Sequence, residues 1–91
     1  VKGMNNIKKE RIKKIIDEWD PIDLLPFAPP DEYDYEINKI YSVIEDKVNI
    51  EHQYLSEIIY NVFKKTFGED VFLNTIEDCM IVADSILQSI N

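Results

Sequence analysis

Acids crowd one short stretch of the chain: Asp31, Glu32, Asp34 and Glu36. On a helix, Glu32 and Glu36 share a face one turn apart. Carboxylates so placed suit magnesium, which takes one or two from a protein and completes its shell with water and substrate phosphates. Glu77 and Asp78 are the acids that would face them from a second helix, and Lys39, Lys64 and Lys65 are the cations available to hold phosphate. The chemistry implied is a magnesium-dependent phosphohydrolase. That requirement is loose, however, and acids at a helix start complement its dipole with no ligand at all. The enzyme is therefore an alternative reading, and no catalytic, metal or cofactor-binding residue is assigned from it.

The remaining reactive groups are few. Cys79 is the single cysteine, so no internal disulfide forms, and it falls on an apolar helix face where a free thiol behaves as a small hydrophobe. His52 is the single histidine; beside Glu51 in a first helical turn it reads as a surface residue, without the clustered ligands of a metal site. With only Gly 2 in the composition, no glycine loop can cradle a phosphate.

These residues hang on a chain of 91 residues, 45% hydrophobic and 31% charged. A chain of that size buries a little over ~60% of its unfolded surface, enough for one core. The net charge of −8 argues against nucleic acid or an anionic membrane as partner, since both need clustered positive charge. It leaves a basic protein partner open, or simple solubility. The longest apolar run outside the prolines, Cys79 to Ala83, is far too short for a signal or a span. The cytoplasm is the expected location.

The elements follow from periodicity. Ile12, Ile15, Ile16 and Trp19 repeat at i, i+3, i+4, i+7 and predict helix 1 over Asn6 to Trp19. Its charges run against its dipole, with Lys8, Lys9, Arg11, Lys13 and Lys14 early and Asp17 and Glu18 late, which calls for compensation from other helices. Tyr33, Ile37, Ile40, Tyr41, Ile44 and Val48 predict helix 2 over Glu32 to Lys47. Asn49 offers an N-cap for helix 3, which ends at Phe67 before Gly68. Val71 and Phe72 are expected to fold back on the core, and Asn74 with Glu77 forms a capping-box-like pair opening helix 4.

Between helices 1 and 2 lies a segment with all four prolines and the only tryptophan. Asp20 followed by Pro21 reads as a helix start, giving one short turn over Asp20 to Leu25 that Pro26 stops. Phe27 to Pro30 is then extended, and Asp31 is the N-cap of helix 2.

The run Trp19-Asp20-Pro21-Ile22-Asp23-Leu24-Leu25, taken with Pro30-Asp31-Glu32-Tyr33-Asp34-Tyr35-Glu36-Ile37, resembles the YugE-like family of small bacterial proteins of unknown function. Phe67-Gly68-Glu69-Asp70 and Glu77-Asp78-Cys79 match its later landmarks, and Asp23 departs from it where the family pattern has glycine. The resemblance implies a mostly helical single domain and carries over no activity.

The reading is thus all-α: a small four-helix bundle-like single domain over residues 1–91, with a proline-rich, acidic loop between helices 1 and 2 and a flexible N-terminus over residues 1–5. Its function class is a small protein-binding module, immunity-like or regulatory. Asp20, Asp23, Asp31, Glu32, Asp34 and Glu36 would face a basic protein partner. Trp19, Pro21, Leu24 and Tyr33 would anchor the loop. A structural homo-oligomer subunit is the other alternative.

Overall fold

The computed structural model describes residues 2–22, 32–46 and 49–90. They form α1 (Lys2–Trp19), α2 (Asp34–Asp46), α3 (His52–Phe67) and α4 (Ile76–Ile90). No strand is present among the described residues. Helix α1 begins four residues earlier than its apolar period requires, and α2 begins two residues later than expected. The first bond of α2 runs from the Ile37 N–H to the Tyr33 carbonyl.

Each helix packs against its chain neighbours, and α4 closes the ring against α1. Contacts at the ends show that consecutive helices run antiparallel. Tyr33, at the head of α2, donates its hydroxyl hydrogen to Asp20 at the tail of α1 (2.5 Å). At the far end Arg11 donates to the Ser89 carbonyl in the last turn of α4 (2.7 Å), and Lys8 lies 3.6 Å from Glu45 of α2. The molecule is a four-helix bundle. Two of the cations that offend the dipole of α1, Lys8 and Arg11, thus sit at the carbonyl-rich ends of its two neighbours.

Apolar stripes from all four helices meet in one core, with Ile12, Ile16, Ile37, Ile40, Leu55, Ile59, Ala83 and Ile86 fully buried. Towards the end where α1 stops, the core turns aromatic. The Phe63 ring lies 5.4 Å from Trp19, 5.8 Å from Tyr33, 5.9 Å from Phe67 and 5.6 Å from Phe72. Tyr33 is completely buried, whereas Trp19 is only partly so.

Several local expectations are corrected. Asp20 does not start a helix: its φ is +44°, its N–H bonds back to the Ile16 carbonyl, and it ends α1. Pro21 explains this, because a residue before proline is pushed out of the helical region, and Asp tolerates the left-handed one. Pro21 and Ile22 form a turn; Asp23 and Leu24, the rest of the expected turn to Leu25, the extended Phe27 to Pro30 and the Asp31 cap lie outside the described residues. Helix α3 starts after Glu51, which is extended and makes no side-chain cap, so Asn49 does not cap it.

Gly68 ends α3 with φ +85° and its N–H on the Lys64 carbonyl. The chain then doubles back along α3, bringing Phe72 to 5.9 Å from Tyr60, about two turns before the helix end. Helix α4 opens with a reciprocal box in which Asp78 accepts from the Thr75 N–H (3.0 Å) and the Thr75 hydroxyl accepts from the Asp78 N–H (3.2 Å). The box sits one residue later than Asn74 and Glu77. Asn74 is diverted: its amide donates to the Pro21 carbonyl (3.1 Å) and ties the connector to the tail of α1.

Candidate protein-docking surface

The acids singled out by spacing do not form one face. Glu32 is exposed at the head of α2. Asp34 is half-buried and lies 3.4 Å from Lys13, which also pairs with Asp17 at 3.0 Å. Asp20 is half-buried and accepts from Tyr33, so its carboxylate holds the α1–α2 corner. Glu36 is 1% exposed, with Oε1 lacking a hydrogen-bond partner. Burial pushes its carboxyl above the usual 4.5, and the charges of Glu32 and Asp34 add to this; its own N–H and the Thr66 hydroxyl pull the other way. Glu36 is therefore an interior group. Asp23 and Asp31 lie outside the described residues.

Of the anchors, Tyr33 is the centre of the corner, and Trp19 packs edge-on against Phe63 and Phe72 at 5.4 and 6.1 Å. Pro21 contributes through its carbonyl to Asn74. Leu24 falls outside the described residues.

The surface that does assemble is the connector between α3 and α4. It opens with a turn in which the Gly68 carbonyl accepts from the Val71 and Phe72 N–H groups (3.3 and 2.9 Å). Phe72 points inward at 3% exposure, while Val71 and Leu73 stand out at 51% and 76%. The expectation that Val71 folds onto the core is thus wrong. Glu69, Asp70 and Glu77 are exposed around this ridge. Beside it an open groove of about 660 Å³ is lined by Tyr60, Lys64, Phe72, Leu73 and Ile76, among others. Lys64 donates to the Tyr60 hydroxyl (2.6 Å) and lies 3.6 Å from Glu69; these contacts, that to Tyr60 first, hold its ammonium above the usual range. Exposed acids and exposed apolar side chains thus share one short segment.

Chemistry on the helices is sparse. Glu36 is buried and Asp78 is engaged in the cap of α4, so the carboxylates of α2 and α4 do not converge. Among the described residues no group of three or more His, Cys, Asp or Glu side chains could hold a metal ion. Cys79 is buried, and burial together with Asp78 pushes its thiol up to about 12, so it holds little thiolate at neutral pH. His52 is not a free surface residue. Its Nε2 lies 2.9 Å from the Met80 carbonyl, which fixes Nε2 as the protonated nitrogen and ties the head of α3 to α4.

No helix among the described residues is long and apolar enough to cross a membrane. A small acidic helical bundle with an exposed apolar connector is the class that fold and surface define. The chain belongs to the family described as a domain of unknown function, DUF1871, whose model matches residues 11–90. Neither the curated proteins nor the solved structures yield a match.

Proposed function

We propose that this domain is a protein-binding module, immunity-like or regulatory, that takes a basic partner on its α3–α4 connector. One observation carries the reading: Val71 and Leu73 stand exposed on a connector that also carries exposed Glu69 and Asp70, with exposed Glu77 just beyond it. An exposed apolar side chain on its own is ordinary; two on one short segment beside a groove, backed by a buried aromatic cluster, form a preorganised platform. The acids around it would steer a cationic partner and raise its association rate at low salt. We further read the chain as a YugE-like, bacterial member of its family, on the Trp19-Asp20-Pro21 and Asp31-Glu32-Tyr33-Asp34 runs, and place it in the cytoplasm, where a lone free cysteine is at home.

Affinity capture with matched variants tests this. The parent should retain a specific basic protein that Leu73→Asp loses and that Glu69→Lys with Glu77→Lys also loses. Asp84→Lys, on an exposed position of α4, should keep it. Retention unaffected by both connector variants would overturn the reading. So would a self-association that light scattering shows to be abolished by Leu73→Asp, since the surface would then serve a homo-oligomer.

A further inference from the structure

On a chain of net charge −8 most exposed surface is acidic, and the cations near acids are spent on them: Lys8 on Glu45, Lys13 on Asp17 and Asp34, Lys64 on Glu69. Lys39 of α2 and Lys65 of α3 reach no acid among the described residues. They nevertheless come together, at one groove of about 430 Å³ between the two helices. Its other lining residues are Tyr35, Asn61, Val62 and Thr66. None of the six is an acid.

The lining sorts by chemistry. Tyr35 offers an exposed ring, 59% accessible, with the Lys39 ammonium 5.5 Å from its centroid. The ammonium lies over the ring, so an apolar face and a cation meet at one place. Half-buried Val62 adds apolar surface, and Asn61 and Thr66 supply an amide and a hydroxyl. Lys65 provides the second charge from the opposite helix. Thr66 is also the hydrogen-bond partner of Glu36, whose buried carboxyl has one oxygen unpartnered behind the groove.

We infer that the α2–α3 groove is a binding site for a small molecule with one planar apolar ring and one anionic group. The ring would lie on Tyr35 and Val62, and the anion would bridge Lys39 and Lys65. Two ammonium groups on flexible stems suit either a carboxylate or a phosphate, which share the charge and the acceptor oxygens the site reads. The volume admits a ligand of that size and is too small for a folded partner. The site is separate from the connector surface, so either proposal can fail alone.

The test is a heteronuclear NMR titration of the intact chain with phenyl phosphate, phenylacetate, benzyl alcohol and inorganic phosphate. At least one aromatic anion should give saturable shifts centred on Tyr35, Lys39 and Asn61 to Thr66. The tighter of the two identifies whether phosphate or carboxylate is the natural group. Benzyl alcohol and inorganic phosphate should each bind about tenfold more weakly or worse, as each lacks half of the recognised chemistry. The double variant Lys39→Gln, Lys65→Gln, at exposed positions where its spectrum should remain dispersed, should lose about tenfold or more in affinity. The inference is overturned if the anions give shifts scattered over the molecule, if benzyl alcohol binds as well as they do, or if the double variant binds unchanged.

Discussion

Glu36 is the residue whose surroundings disagree most with its chemistry. It is 1% exposed between α2 and α3 and has one oxygen without a partner. Its carboxyl is raised above 4.5 by burial, so the folded state holds this proton more tightly than the unfolded chain does. The stability that follows is fully present below the unfolded value and is lost as pH rises through the folded one. Glu36→Gln keeps the shape and removes the ionisation. In urea unfolding the variant should be more stable than the parent near neutral pH, by about 1 kcal/mol, because no buried charge remains. The difference should shrink as pH falls below the unfolded value of 4.5, where Glu36 becomes protonated in both states. A variant less stable than the parent at neutral pH would show that the carboxylate is satisfied inside. The burial was legible: Tyr33, Ile37 and Ile40 define a stripe, and Glu36 falls within it three residues after Tyr33 and four before Ile40. Pairing it with Glu32 by i, i+4 spacing missed this, since a helix neighbour one turn away can sit on the rim of the same stripe.

At the scale of elements, what was legible was the periodicity and what was not was long-range polar competition. All four apolar stripes contribute to the core, with Val48 outside the described residues and Val62 at the α2–α3 groove, and the stops at Trp19 and Phe67 hold. The start of α4 moved by one residue because Asn74 is taken by Pro21, a partner 53 positions away that no local pattern reveals. Thr75→Ala should therefore cost about 1 kcal/mol of stability through the lost cap, and Asn74→Ala should act instead by loosening the connector from α1. Thermal unfolding of the two single variants reads both losses. An unaltered melting temperature in Thr75→Ala would show that the box does not hold the helix. The exposed ridge was legible in part. Val71, Phe72 and Leu73 form an apolar run, but the turn at Gly68, whose carbonyl accepts from the Val71 and Phe72 N–H groups, leaves only the middle residue buried. Reading Val71 and Phe72 as both inward missed that turn.

Over the whole molecule, one end is aromatic and structural while the other is held by charge. Phe63 joins α1, α2 and the connector through Trp19, Tyr33 and Phe72, with ring separations of 5.4, 5.8 and 5.6 Å. Phe63→Ala should cost about 3–5 kcal/mol. Trp19→Ala should cost less, about 2–3 kcal/mol, because the ring is only partly buried. Equal losses in urea unfolding would place Trp19 at the centre of the cluster instead. The acids at this aromatic end divide between structure and surface: Asp17, Asp20 and Asp34 hold Lys13 or Tyr33, while Glu69, Asp70 and Glu77 remain around Val71 and Leu73. The rigid cluster beneath the connector is what would let so short a segment present a fixed surface. Amide hydrogen exchange of the chain, free and bound to the protein that Leu73→Asp fails to retain, tests that role most directly. The proposed docking requires slowed exchange over residues 69–77 and the facing Tyr60 to Lys64 turn, with the outer face of α2 unchanged. Protection centred on Glu32 to Glu36 at the head of α2, with the connector exchanging as before, would contradict it.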